Sequence, residues 1–304
     1  MFELCCESRI TKPISLVHSP KPISFSNDMD QIIKEVLWYV PNIDSQQSSK
    51  NELIGDKVYS DFSFTYILNK MGMSEDRDVK WIDNSTTIDD ADWMFFENEI
   101  CTNCQKAIIV RLKKLSKTND FLRCIRNCVA HGHFTVVDDY LIGFNLQKTE
   151  KNPDGIKKAV IKIKPEALLD ALEELMSPRA KESLVGYALE RVGYTVQYEN
   201  ARPRDGSNGM FYDILAEKNG VRYAIEIKDY KGSSYVHLDS IYRFLSSSES
   251  LVPDLERVFM IDTSRVTKDV KEWAERIDHF RIVDMRDVRQ LLADDPVDIL
   301  QEHR

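Results

Sequence analysis

Asn219-Gly220 sits between two alternating stretches, FYDILAEK and VRYAIEIK, and constrains the fold more tightly than any other feature of the chain. Asn-Gly readily adopts the positive φ angles that a two-residue hairpin turn requires. With the turn placed there, Lys218 faces Val221 and, counting outward, Asp213 faces Glu226. Directly opposed residues of an antiparallel pair stand ~5 Å apart at Cβ on one face. Lys228, two residues after Glu226, shares that face. The other face carries Ile214, Ala216, Tyr223, Ile225 and Ile227, an apolar surface to be buried.

Elements alternate around this hairpin. The pattern predicts a helix at 182–193, the strand YTVQYE, then after the hairpin a helix near 234–248, the strand RVFMID (257–262), the helix VTKDVKEWAERI, the strand FRIVD and a last helix at MRDVRQLL. Such alternation implies a partly parallel sheet with flanking helices, an α/β domain. Upstream, residues 1–30 read as an irregular arm and QIIKEVLWYV (31–40) as a short helix. Residues 58 to about 130 read as mostly helical, including CQKAIIVRLKKL (104–115). DFLRCIRNCVAH is expected to end at Gly132. HFTVVDDYLIGFNL (133–146) reads as strand, turn, strand, KNPDG as a loop, KKAVIKIK (157–164) as a strand and PEALLDALEELM (165–176) as a helix opened by Pro165. SPRAKES (177–183) is the expected boundary. This gives an arm and helix at 1–57, a helical domain with a β-hairpin at 58–178, and an α/β domain with a mixed sheet at 179–304.

Composition narrows the function classes. The 304 residues are 42% hydrophobic and 30% charged, as in a folded protein. Apolar runs fall far short of the ~20 residues that span a bilayer, the first residues do not resemble a secretion signal, and six cysteines are too sparse for a disulfide scaffold. A cytoplasmic location with no membrane partner is expected. The net charge is −9, and 23 acidic against 18 basic residues fall in 181–304, so both halves are acidic. Binding to nucleic acid through bulk charge is excluded; it requires a local site, with a cation to offset the acidic field.

Asp213, Glu226 and Lys228 supply such a site. Two adjacent carboxylates repel unless a cation lies between them. Mg²⁺, or Mn²⁺, prefers oxygen ligands and keeps several waters, and the Ile227 carbonyl offers a further ligand. The ion can bind a phosphate oxygen and activate water, while the lysine orients that water or stabilises developing charge. The plainer alternative is a solvated charged hairpin face. The strings ESLVGYALERVGYTV, YDILAE, AIEIKDYK, RVFMIDTS and FRIVDMRDVRQLL resemble the Mrr-type branch of the PD-(D/E)xK restriction-endonuclease-like nucleases over 182–293. The resemblance implies Asp213, Glu226 and Lys228 as the catalytic and metal-binding set, with Tyr212-Asp213 where the family has Pro-Asp. It implies Glu182 as a supporting acid, for which a helix N-terminal charge is the alternative. Lys231 and His237 lie near enough in sequence to approach the scissile strand, or are ordinary exposed residues.

RCIRNCVAHGHF (123–134) holds a second constellation. Arg126 can grip a phosphate, His131 can move a proton, and Asn127 can orient either. Five helical residues set Arg126 and His131 ~140° apart. They converge only if Gly132 ends the helix and His131 turns inward, or if a second subunit completes the site. The string RN, then AHG, then a hairpin resembles HEPN domains, which implies a composite ribonuclease site across a homodimer, or an inactive interaction module. Cys101-x2-Cys104 lacks a partner pair with standard zinc spacing, although Cys5-Cys6 or Cys124/Cys128 are candidates; Cys124 and Cys128 read better as core. Trp93, Phe95 and Phe96 read as core or dimer surface.

The expected protein is thus a two-domain nuclease: a HEPN-like helical domain for dimerisation, sensing or RNA cleavage, and a Mg²⁺-dependent endonuclease domain acting on DNA in prokaryotic defence. Two alternatives are a metal-independent ribonuclease toxin using Arg126 and His131, and a non-catalytic scaffold with a regulatory partner.

Overall fold

A computed structural model of the chain describes residues 30–32, 34, 52–55, 59–82, 88, 106–111, 115–137, 139–198, 212–228, 235–249 and 255–301. The arm at 1–29, most of the helix expected at 31–40, Trp93, Phe95, Phe96, Cys5, Cys6, Cys101, Cys104 and Lys231 lie outside them. The chain divides into two compact units, Met1–Glu173 and Glu174–Arg304.

In the first unit the described elements are α1 (Glu52–Gly55), α2 (Ser60–Lys70), α3 (Glu75–Asp78), β1 (Val79–Ile82), β2 (Ala107–Val110), α4 (Lys117–Ala130), β3 (Phe134–Val137), β4 (Tyr140–Thr149) and β5 (Asn152–Ile163). The strands form one sheet in the order β1-β2-β5-β4-β3, parallel at β1/β2 and antiparallel elsewhere. This corrects the helical reading of 58–130. Residues 107–110, expected within a helix, are a strand held between β1 and β5. The run Ala-Ile-Ile-Val is buried at every position, so it carries no alternation, and contiguous apolar residues fit a doubly covered strand as well as a helix face. The KNPDG loop is corrected too: β5 starts at Asn152, opposite Thr149, and slips of register absorb Pro153 and Gly155.

Helix α4 is the pivot of this unit. Ser116 caps its start by accepting the Asn119 N–H. Phe121, Cys124, Ile125 and Cys128 are buried, and α4 packs on β4 and β5. Gly143 of β4 has no room for a side chain, because a Cβ there stands 2.8 Å from Cys128 Cβ. The helix stops where expected. Gly132 takes φ +66°, and the His133 and Gly132 N–H groups return to the Cys128 and Val129 carbonyls at 2.9 and 3.1 Å, the paired closure of a Schellman end.

Helix α5 (Pro165–Met176) contains the division between units. The second unit continues with α6 (Ala180–Arg191), β6 (Thr195–Tyr198), β7 (Ile214–Lys218), β8 (Val221–Ile227), α7 (Leu238–Glu249), β9 (Glu256–Ile261), α8 (Lys268–Ala274) and β10 (Phe280–Asp284). The last expected helix is a 3-10 turn, Asp287–Leu292. The sheet order is β10-β9-β8-β7-β6, antiparallel from β6 to β8 and parallel from β8 to β10, which is the mixed sheet expected. Central β8 is covered on both faces. Ala224, Phe259, Ile261 and Phe280 pack with Ile241 and Phe244 of α7 and Val270 of α8, while α6 packs on β6 and β7.

Past β10 the chain returns as a strap. Asp298 accepts from the Tyr194 hydroxyl at 2.9 Å and pairs with Lys218 at 2.6 Å. The Leu300 carbonyl accepts from Arg281 at 2.6 Å. Burial, then the bond to Asp298, keeps the Tyr194 hydroxyl protonated well above the ordinary tyrosine range. Among the described residues no helix is long and apolar enough to cross a membrane.

Candidate active site

The Asn219-Gly220 turn sets the register from Lys218↔Val221 to Ile214↔Ile225 as expected. The ladder then changes. Asp213 N–H donates to the Ile225 carbonyl at 2.8 Å, so Asp213 and Ile214 both oppose Ile225, the two-against-one count of a β-bulge. Simple opposition of Asp213 to Glu226 is therefore corrected. The bulge turns the Asp213 carboxylate onto the main chain of β8, where it accepts the Ile227 N–H at 2.7 Å. That amide lies between Glu226 and Lys228 in the chain.

Glu226 is only 4% exposed. A carboxylate is rarely buried unless paired, and Glu226 pairs with Lys228. The Lys228 side chain keeps 29% exposure, and its N–H is fixed to the Met260 carbonyl of β9 at 2.9 Å. The structure thus brings Asp213, Glu226, Ile227 and Lys228 together at the carboxyl end of β8. The solvated-face alternative does not describe Glu226. Among the described residues no three His, Cys, Asp or Glu side chains cluster for a metal. The donor set is two carboxylates and a backbone carbonyl, hard oxygen ligands of the kind that suit Mg²⁺ completed by water and substrate phosphate.

The adjoining strand ends hold more acids, and these are engaged. Arg286 pairs with Asp262 and, at 3.3 Å, with Asp284. Asp284 also accepts from Thr263, and Asp262 caps the Ser264 N–H at 3.0 Å. Burial opposes ionisation of Asp262, but the Ser264 and Arg286 bonds outweigh it and hold the carboxyl below the usual range. Sequence reasoning missed this network. Its signals were Asp262 and Asp284, each just at the end of a strand, and an arginine two residues after the second.

Glu182 lies half-buried in the first turn of α6, and His237 is exposed just before α7. In the first unit, Arg126 reaches Asn127 Oδ1 at 3.2 Å, while His131 caps the helix, exposed, with its ring 5.9 Å from that of His133. Helical spacing aligns His131 with Asn127 and Arg123 rather than with Arg126. Cys124 and Cys128 are buried free thiols, and burial pushes the Cys124 thiol up to about 11. Such thiols are poor metal ligands.

Residues 173–292 match the family model Mrr_cat, a restriction endonuclease. A solved structure, a repair endonuclease from Pyrococcus abyssi, aligns at 13% identity with a TM-score of 0.26, covering 50% of this chain and 63% of that one. No curated protein matches the chain. The family match falls on the segment that holds Asp213, Glu226 and Lys228, and the chain spans less than two thirds of the length of the solved structure it aligns with.

Proposed function

We propose that the second unit hydrolyses DNA phosphodiester bonds with a divalent cation, Mg²⁺ or Mn²⁺, held by Asp213, Glu226 and the Ile227 carbonyl. The observation that carries this is the bulge, which turns Asp213 onto the amide between a buried glutamate and a half-exposed lysine. Such a cation supplies a Lewis acid for a phosphate oxygen and a more acidic water. The Ile227 amide fixes Asp213. Burial sets Glu226 in low dielectric, where its charge acts strongly. Lys228 presents a cation to the arriving phosphate, where it stabilises developing negative charge and orients the attacking water. The Arg286 network occupies Asp262 and Asp284, which leaves the Asp213–Glu226 pair as the acidic focus of this edge. Defence against foreign DNA, with two copies joined through the first unit so that both strands are cut, belongs to the same proposal.

The test is cleavage of supercoiled DNA and structured RNA, each with Mg²⁺, Mn²⁺ or EDTA. The expected result is metal-dependent DNA nicking that Asp213→Ala abolishes and His131→Ala leaves intact. RNA cutting that survives EDTA and is lost in His131→Ala would overturn it in favour of the ribonuclease reading. Binding without turnover under every metal condition would favour the scaffold.

A further inference from the structure

Five large hydrophobic side chains are exposed among the described residues, and three of them, Tyr235, Leu238 and Tyr242, fall within eight positions of the second unit. Single apolar residues on a surface are ordinary, whereas a contiguous group marks a place of contact. The chain is firmly held here. Val236 is buried in one core with Ile241, Phe244 and Val266, and its N–H donates to the Arg265 carbonyl at 3.0 Å. Arg265 closes a short 3-10 turn, Thr263–Arg265, that follows β9. The Tyr235–Val236 peptide is thus fastened beside the carboxyl end of β9.

The candidate site opens on the same edge. β8 and β9 run parallel with Ile227 opposite Met260, and the Met260 carbonyl accepts the Lys228 N–H. From Met260 to Asp262, where the turn begins, is two residues, ~7 Å of strand. Tyr235 therefore stands within reach of a nucleotide next to the one held at Lys228.

Tyr235 and Arg265 suit such a nucleotide. Tyr235 is 55% exposed, and among the described residues its side chain has no hydrogen bond or ring contact. Arg265 is half-buried, and among the described residues no carboxylate pairs with it. Tyr242, by contrast, is held edge to face by Trp273 at 5.0 Å. A free ring offers a flat face to a base and an unpaired guanidinium offers a fork to a phosphate, the combination that holds single strands. A base within a duplex has both faces covered and must leave the stack to meet a ring. A second copy of the chain, related by a twofold axis, fits the patch less well, because it presents the same cation.

We propose that Tyr235 and Arg265 form a subsite for an unpaired nucleotide beside the scissile phosphate. Tyr235 stacks on the base and Arg265 grips the phosphate, so the preferred substrate is DNA with a single-stranded stretch at or next to the cut. The proposal rests on the reading of Asp213, Glu226 and Lys228 as a nuclease site.

The test is binding by the full chain in EDTA. Two probes share one sequence: a fully paired DNA duplex, and the same duplex with a short single-stranded gap carrying 2-aminopurine, whose fluorescence falls when its ring stacks. The unaltered protein is expected to bind the gapped probe more tightly and to quench it. Tyr235→Leu keeps an apolar side chain but removes the ring. It is expected to weaken the gapped probe about tenfold and to abolish quenching, with the paired probe unchanged, while Tyr235→Trp restores both. Arg265→Gln is expected to lower the salt slope on the gapped probe by about 0.7, and Lys271→Gln, at an exposed lysine of α8, to leave it unchanged. Equal affinity of the unaltered protein for both probes overturns the proposal, as does a Tyr235→Leu protein that binds and quenches like the unaltered one. Loss of self-association in Tyr235→Leu on sedimentation, with both probes bound as before, overturns it in favour of a second copy as the occupant. The cleavage assay reads separately. Asp213-dependent nicking with no effect of Tyr235→Leu removes the subsite alone, whereas Tyr235-dependent quenching without metal-dependent nicking keeps the subsite and removes the catalytic reading.

Discussion

Each unit buries a carboxylate against a lysine, and the two pairs are built differently. In the first unit Asp78 meets Lys162 at 2.7 Å. Asp78 also accepts the Ser74 N–H and the Arg77 Nε, both at 2.9 Å, and Lys162 is 1% exposed beneath the Tyr140 ring. In the second unit Glu226 is as buried as Asp78, yet its lysine opens to solvent and a second carboxylate stands beside it. The first pair is closed on all sides by protein. The second has the same chemistry with one side open to solvent. Burial of a charge alone does not mark a site; the opening does.

Substitution separates the pairs. Under the proposed function, Glu226→Gln is expected to lower DNA cleavage by about 10³-fold or more, while the melting temperature holds or rises, because one of two neighbouring carboxylate charges is removed. Lys162→Met is expected to do the opposite. It leaves Asp78 buried without its main partner, costing about 3–5 kcal/mol in denaturant unfolding, with cleavage by the folded fraction preserved. Asp78→Leu added to Lys162→Met recovers most of that loss. If Glu226→Gln destabilises as much as Lys162→Met, the contrast fails.

Acid sharpens it. Burial raises the pKa of Asp78, but the Lys162, Ser74 and Arg77 interactions outweigh it and hold the carboxyl below its ordinary value. The pair therefore contributes its full stability above the usual aspartate pKa of about 4 and loses it as the pH falls through the lower folded value. Below pH ~4 the unfolding free energy should fall less steeply in Asp78→Asn than in the unaltered protein. The smallest effect is expected at the strap, where Asp298→Ala removes bonds from Tyr194 and Lys218 and costs about 1–3 kcal/mol.

The second unit was legible because its information is local. Asn219-Gly220 wrote the register, alternation wrote the strands, and helices at intervals wrote the parallel half of the sheet. Even there, the bulge at Asp213 escaped, since nothing in Tyr212-Asp213-Ile214 signals an extra residue against Ile225. The first unit misled where its strands are short and fully buried: Ala107–Val110 shows no period because both its faces are covered. Asp78 and Lys162, 84 positions apart, are joined by sheet pairing that no local pattern announces.

The strap bears on how the protein is made. Synthesis runs from the amino end, at about 5–20 residues per second. The β7/β8 hairpin leaves the ribosome well before residues 294–301. Until those residues arrive, Lys218, Tyr194 and Arg281 lack the partners that Asp298 and Leu300 supply. The hairpin that carries the candidate site thus waits on a later stretch of chain to be fastened.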